Sequence, residues 1–445
     1  MRSNRVFFIV LALSLSAFFA GGTYTFLLSK DKNQDVYKSL EKFARVYDIV
    51  KKNYVKEPAD QGLVDGSIRG MLEELDPHSV YLKKEDFEDM QADTKGEFGG
   101  LGIEISKKDG MLTVVSPIED TPAFKAGIKA GDVISKIETQ STAKMSVMDA
   151  VRLMRGKPGT KVSIEIRRQG TPAPLNMTVA RAVIQVRSVT YQVKDGFGVI
   201  KVRQFLERSS KEVKNALSKI QSETGSEIKG VILDLRNNPG GLLQQAIEIS
   251  DIWLKDGLIV YTQGRDEEKA SKYYAMARGT EPTYPLALLL NGGSASASEI
   301  VAGALQDQKR AHVIGTNSFG KGSVQNVIPL DDGSGIKLTV ALYYTPNGRQ
   351  IQGAGIVPDE VVKGALDADE LTKERDLPGH LVGTDEEKAK AQFELEKKSR
   401  AESAAKKATD KANEQAGADL KKQDEADPQL DRALVWLKSQ SSKKK

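Results

Sequence analysis

The sequence predicts a multidomain α/β chain in which a β-rich module sits between N-terminal helices and a larger α/β domain. Three observations predict it. Apolar strand-like runs alternate with helix-like ones from about Ile184 to Val362, short β-patterned runs crowd the stretch from about Gly96 to Ala182, and apolar residues recur at three- and four-residue steps from Val36 to about Met90. At 445 residues and 39% hydrophobic content, the chain can build more than one core.

The first 30 residues carry Arg2 and Arg5, then a mainly apolar run from Val6 to Ser29, then Lys30. That run is long enough to cross a bilayer, and the leading arginines favour the cytoplasmic side, so residues 1–30 read as a signal peptide or membrane anchor and the rest as exported. Small residues near Ala20 to Gly22 offer a cleavage site, yet the run continues through Phe26 and Leu28, so both outcomes stay open.

Residues 31–95 read as helical. Leu40, Phe43, Val46, Tyr47 and Val50 form one stripe, and a second helix through Ile68, Met71, Leu72 and Leu75 stops at Asp76-Pro77. With no concentration of reactive groups, these helices suit packing or a homodimer contact. Residues 96–183 form a module of their own. Its strands fall at Leu101–Ile105, Leu112–Val115, Val133–Ile137, Val162–Ile166 and Leu175–Val179, with short helices at Pro122–Ala126 and Val147–Arg155.

In residues 184–365, strands are expected at Gly230–Leu235, Leu286–Asn291, His312–Gly315 and Ile336–Tyr343, with helices after Gly241 and after Ser296. From 366 to 445 the composition turns to Lys, Glu, Ala and Asp, which predicts a disordered or solvated helical tail. Leu430, Leu434 and Leu437 are the exception, a small apolar stripe able to dock back on the body.

Composition narrows the chemistry. The chain has no cysteine, so disulfides, thiolate nucleophiles and sulfur-ligated metals are excluded. His78, His312 and His380 lie in a Pro-flanked turn, a short apolar run and a charged tail, without metal-ligand spacing, so no metal or cofactor is expected and none of the three reads as a well-placed base. The 65 basic and 61 acidic residues are spread along the chain, with no basic stripe to suggest a nucleic-acid partner.

Asn291-Gly292-Gly293-Ser294-Ala295-Ser296-Ala297-Ser298-Glu299 follows an apolar strand and opens a helix. A serine at a helix start sits among backbone amides that favour negative charge, which suits an oxygen nucleophile. Ser296 with Glu299 also spells a capping box, a purely structural role. Phe319-Gly320-Lys321-Gly322-Ser323 places a lysine in a glycine-flanked loop after the next strand, either a solvated turn lysine or the remaining base for a serine. To act as one it must shed its proton near neutral pH, so burial has to lower its pKa. Gly315 to Lys321 nearly spells a phosphate loop, but Gly322 stands where that motif needs Ser or Thr and a strand follows, so nucleotide binding is set aside. Asp234-Leu235-Arg236-Asn237-Asn238-Pro239-Gly240-Gly241 ends another strand with a turn of bare amides, a second source of oxyanion donors or an ordinary tight turn.

Four motifs in order, Gly99-Gly100-Leu101-Gly102-Ile103, Asn237 to Gly241, Gly293 to Glu299 and Phe319 to Gln325, resemble the carboxy-terminal processing (tail-specific) peptidase family. The resemblance implies an α/β serine-peptidase core with an inserted PDZ module and N-terminal helices. It implies that Ser296 attacks the scissile carbonyl, that Lys321 takes its proton, and that Gln325 orients the lysine. It further implies an oxyanion hole from the amides of Ala297 and of Gly240 or Gly241. In the PDZ-like segment, Gly100, Leu101, Gly102 and Ile103 would cradle a peptide's terminal carboxylate, the peptide adding as a strand beside the Val147 to Arg155 helix. Arg155, closing that helix, is expected to contact either bound peptide or the catalytic domain. The implied partners are unfolded or tail-bearing proteins, met in the bacterial periplasm or on the outer face of the cytoplasmic membrane. Two other readings stay open: a membrane-tethered PDZ adaptor or chaperone that holds tails without cutting, and an esterase or amidase using the same dyad on small acyl groups.

Overall fold

The computed structural model describes residues 35–364, except 226, 267, 280 and 281, together with 372–387 and 427–442. The apolar run at 6–29 and most of the Lys- and Ala-rich stretch fall outside these. Among the described residues, no helix is long and apolar enough to cross a membrane. The chain divides into two units, residues 1–71 and 72–445.

In the first unit, helix α1 (35–53) is followed by α2 (Asp60–Glu73). The Tyr47 hydroxyl donates to Asp60 Oδ1 at 2.8 Å, and Lys51 pairs with the same carboxylate. The apolar stripe of α1 is at the surface: Val36, Tyr37, Leu40, Phe43, Val46 and Ile49 are all exposed.

The second unit opens with a departure from the sequence reading. Strand β1 (Val80–Leu82) precedes helix α3 (Lys84–Lys95), where helix alone was expected. The Asp76 carboxylate accepts from the His78 and Ser79 amides and closes the turn, and three residues are too few for strand alternation to register in the sequence.

The β-rich module runs from β2 (Glu97–Gly100) through β3 (Ile103–Lys108), β4 (Met111–Pro117), helix α4 (Pro122–Lys125), β5 (Val133–Ile137), β6 (Gln140–Ser141), helix α5 (Val147–Met154), β7 (Lys161–Arg167) and β8 (Leu175–Ala180) to β9 (Ala182–Gln185). Strands β3-β4-β5-β7-β8 form one sheet with β6 paired to β5, while β2 and β9 make a separate two-stranded ribbon at the entry and exit. Leu112, Val114, Ile134, Ile137, Ile164 and Ile166 build the core with Ala150 and Met154 of α5. Helix α5 is held at its start by a capping box: Ser146 Oγ accepts from Asp149 N–H, and Asp149 accepts from Ser146 N–H.

The α/β domain contains β10 (Val189–Lys194), β11 (Phe197–Val202), α6 (Ser209–Thr224), β12 (Val231–Asp234), α7 (Leu243–Asp251), β13 (Leu258–Gly264), β14 (Ser271–Tyr274), β15 (Leu286–Leu290), α8 (Ala297–Asp307), β16 (His312–Gly315), β17 (Ser323–Pro329), β18 (Gly335–Tyr344) and β19 (Glu360–Val361). Its main sheet has the order β10-β11-β12-β15-β16-β19, parallel except for the β10–β11 pair. Strands β12 and β15 are buried throughout, which is why they read as unbroken apolar runs. Their alternate residues face two cores: Val231, Leu233, Leu286, Leu288 and Leu290 join α6, α7 and α8, while Ile232, Ala287 and Leu289 meet helix α9 (Pro428–Ser442). Leu430, Ala433, Leu434 and Leu437 of α9 are buried there, the docking that the apolar stripe predicts. A second sheet, β1-β18-β13-β14 with β17 on β18, carries the lysine segment.

Candidate active site

Two loops at the carboxyl ends of β12 and β15 meet above the main sheet. They are cross-braced. Asn291 Nδ2 donates to Asn237 Oδ1 at 2.9 Å and Asn237 N–H to Asn291 Oδ1 at 2.9 Å, while the Asn238 carbonyl accepts from Ala295 N–H at 3.0 Å and from the Ser298 hydroxyl at 2.9 Å. The Ser294 hydroxyl donates to the Leu235 carbonyl at 2.9 Å. Small polar side chains therefore fix the strand-to-helix turn from which Ser296 projects.

Ser296 has φ 54° and ψ −112°, a left-handed conformation costly for a residue with a Cβ. Such a turn between a buried strand and a helix presents its side chain outward, and backbone strain of about 1–3 kcal/mol persists only where the surroundings impose it. The Glu299 half of the predicted capping box is present, since Ser296 N–H donates to Glu299 Oε2 at 2.7 Å. The Ser296 hydroxyl makes no side-chain cap bond, so the purely structural role leaves the hydroxyl unused.

Glu299 is fully buried and gathers four donors. Oε1 accepts from the Ser318 hydroxyl at 2.6 Å and from Gly320 N–H at 2.7 Å; Oε2 accepts from Ser296 N–H and, at 2.9 Å, from Lys321 N–H. One oxygen thus ties the serine and lysine backbones together. Burial pushes Glu299 up to about 7, with the four donors working against it.

Lys321 lies at the start of the β17 segment. Burial lowers its amine to about 8, helped by the neighbouring Lys337 charge and opposed by Glu374, Glu299 and Asp76. Among the described residues, no hydrogen bond joins the Ser296 hydroxyl to the Lys321 amine. Instead Lys321 Nζ meets His78 Nδ1 at 3.3 Å, and His78 Nε2 meets Glu374 Oε1 at 2.8 Å. Among the described residues His78, set aside in the sequence as a turn residue, therefore lies against the lysine and not the serine. Asp76 sets the turn that carries His78, and the 243 positions separating His78 from Lys321 left no local signal. Glu374 is absent from the sequence-derived candidates for the same reason.

Among the described residues, no hydrogen bond joins Gln325 to the lysine amine. The Gln325 amide donates to Ser323 Oγ at 2.9 Å and Thr339 Oγ1 at 3.3 Å, because it points along the β17–β18 pair, where Gln325 lies opposite Thr339. Of the two oxyanion glycines, Gly240 N–H donates to Asn238 Oδ1 at 2.9 Å, whereas Gly241 N–H and Ala297 N–H have no partner among the described residues. Gly240 packs so tightly that a Cβ on it would come within 2.8 Å of Ser296 Cβ and 3.0 Å of Ala297 N.

In the β-rich module, β3 is an edge strand with α5 alongside. Leu101 N–H and Gly102 N–H, just before β3, have no partner among the described residues, and Gly102 (φ 78°) leaves no room for a Cβ beside Thr121. Gly100 and Ile103 flank this turn, Gly100 in the β2–β9 ribbon and Ile103 opening β3. Among the described residues, the Arg155 side chain makes no hydrogen bond or ion pair to the α/β domain. Its guanidinium lies over the Phe98 ring at 4.6 Å and pairs with Asp93 of α3 at 3.3 Å, since the extended residue that ends α5 runs beside β2.

Comparison with known proteins agrees with this architecture. Residues 196–362 match Peptidase family S41, residues 99–179 match PDZ domain, and residues 21–86 match Activating protease CtpB N-terminal domain. The Carboxy-terminal-processing protease of Bartonella bacilliformis is 46% identical over 365 residues, 81% of this chain and 84% of that protein. Carboxy-terminal processing protease CtpA of Bacillus subtilis is 36% identical over 393 residues, 84% and 82% of the two chains. A solved photosystem II D1 C-terminal processing protease aligns with 72% of this chain and 86% of its own at 29% identity, with a TM-score of 0.44. The chain belongs to peptidase family S41 and is a carboxy-terminal processing serine protease with a PDZ domain.

Proposed function

We propose that this protease is an exported endopeptidase that captures protein tails on the β3–α5 edge of its PDZ domain and cuts them with Ser296 as nucleophile and Lys321 as general base. The observation that carries the dyad is the shared Glu299 Oε2, which holds the two backbones at one point while the lysine amine is desolvated. From its place against His78, the four-carbon lysine stem swings toward the serine when substrate binds; catalytic hydrogen bonds commonly tighten only in the complex. The neutral amine takes the Ser296 proton as Oγ attacks the scissile carbonyl carbon. Ala297 N–H and Gly241 N–H donate to the resulting oxyanion. The lysine ammonium then protonates the leaving amine, and a water, deprotonated by the same lysine, hydrolyses the acyl-serine.

The test uses an unfolded protein with an apolar C-terminus and compares wild type with Ser296→Ala and Lys321→Ala. Both substitutions should abolish cleavage, and wild-type kcat/KM should rise with pH through a midpoint near 8, because only the deprotonated amine is a base. Cleavage that persists in either variant would refute the dyad.

Arg2, Arg5 and the apolar run at 6–29 support export with the catalytic part outside the cytoplasmic membrane, in the periplasm or on the membrane's outer face. The exposed stripe of α1 supports a homodimer. Protease accessibility in spheroplasts tests the first; sedimentation of wild type against a Leu40→Glu, Phe43→Glu variant tests the second.

A further inference from the structure

Lys337 stands in β18 with Val80 of β1 opposite it on one side and Val327 of β17 on the other. Side chains two apart on a strand share a face, so Lys337 points to the side on which Thr339 and its cross-strand partner Gln325 lie. The turn before β1 closes that face. The Thr339 hydroxyl donates to Asp76 Oδ1 at 3.1 Å, Thr339 N–H donates to the Ser79 hydroxyl at 3.1 Å, and Gln325 Nε2 donates to Thr339 Oγ1 at 3.3 Å. The same turn brings His78 Nδ1 to 3.3 Å from Lys321 Nζ. Two lysines, one from the glycine-flanked loop and one from the sheet, therefore converge on residues 76–79.

Lys337 is half-buried, and among the described residues it has no hydrogen-bond or ion-pair partner. The carboxylates around the two amines are engaged elsewhere. Asp76 accepts from the His78 and Ser79 amides and from the Ser79 and Thr339 hydroxyls, Glu374 is bonded to His78 Nε2 and Gln352 Nε2, and Glu299 holds its four donors. An ammonium left unpaired acts on its surroundings through its field, and a second cation beside a lysine disfavours the protonated form. We infer that Lys337 is a positioning residue of the peptidase reaction: its ammonium, aimed at the turn that Lys321 also meets, repels a proton from that amine and so keeps the base free to take one from Ser296. This role rests on Lys321 being the base.

Burial lowers both amines. Asp76 works to keep Lys337 charged, and the Lys337 charge adds to the lowering at Lys321, so the sheet lysine keeps its proton while the loop lysine sheds one. The effect acts on the free enzyme, before the amine leaves His78, and needs no contact between Lys337 and the reacting atoms. The experiment measures kcat/KM, whose pH profile reports the base of the free enzyme, from about pH 6 to about 10. It compares full-length wild type, Lys321→Ala, Lys337→Met, Lys337→Gln and Lys337→Arg, with a thermal melt of each. Asp76 and His78 in the turn, Glu299 on α8 and Glu374, the other titratable groups facing the base, stay in place in all of them.

Lys337→Met should move the acid limb up by about one pH unit, so that cleavage falls about tenfold at pH 7 and returns close to the wild-type rate at the alkaline end. Lys337→Arg, which keeps the charge, should leave the limb near 8. Lys337→Gln gives the same reading as Lys337→Met should the melt show the latter unfolded. If the limb stays put in the neutral variants, if it moves as far in Lys337→Arg, or if activity drops by one factor at every pH, the inference is wrong, and an inactive Lys321→Ala keeps the lysine base. If Lys321→Ala cleaves like wild type, the base assignment itself fails.

Discussion

At Ser296 and Gly240, two residues share a space that admits only one side chain. The methyl group of Gly240→Ala would meet the Ala295 carbonyl and Ser296 Cβ, both at 2.8 Å, on a backbone already at φ 103°. The turn must then shift away from Ala297 N–H. Gly240→Ala should lose activity on the order of 100-fold, with a stability loss of only about 1–3 kcal/mol. Steady-state cleavage alongside a urea melt reads both. The two loops that carry Ser296 and Lys321 drew notice in the sequence because each is a short motif among glycines, and the structure ties both backbones to Glu299 Oε2. His78 did not, since a histidine after Asp76-Pro77 looks like any turn residue until the fold sets it against Lys321. The resting partners of Gln325, Ser323 and Thr339, were not legible either, because its place in a motif says nothing about which way a strand side chain points.

Helix α8 does more than present a serine. Its Glu299 links the helix start to the loop 318–321 through four donated bonds, and an amide in that position would turn an NH2 against two of the donors whichever way it faced. Glu299→Gln should cost on the order of 3 kcal/mol and abolish cleavage, as measured by a denaturant melt and a peptide assay. Glu299→Asp, keeping the charge on a shorter stem, should lose less stability. The sequence disclosed Glu299 only as a cap partner, since its second role belongs to a loop folded against it from beyond the helix. Elements with a clean period were legible almost to the residue: β5 and β16 are placed as expected, and α5 ends one residue short of Arg155. In the α/β domain β11, β19 and α6 also went unread, and β10, β13 and β14 were missed for a reason in their composition. Tyr, Gln, Lys and Thr, with many half-exposed positions, interrupt the apolar rhythm there.

Over the whole catalytic unit, the active site depends on a helix distant in sequence. Arg236, immediately before the Asn237–Gly241 turn, is bound by Asp234 on one side and by Asp427 and Gln429 at the start of α9 on the other. Although burial works to lower it, the two carboxylates raise the guanidinium pKa, so it stays charged throughout. Arg236→Ala should leave Asp234 buried and unpaired, destabilise by about 3–5 kcal/mol and expose the amides of α9 to hydrogen exchange ahead of the rest of the sheet. Retention of full protection in α9 would show that Leu430, Leu434 and Leu437 hold it unaided. A ribosome adds residues 427–442 long after Ser296 and Lys321. Until that late segment arrives, Arg236 lacks Asp427 and Gln429 and the sheet face of Ile232, Ala287 and Leu289 is bare, so the order of synthesis leaves this clasp to be closed last.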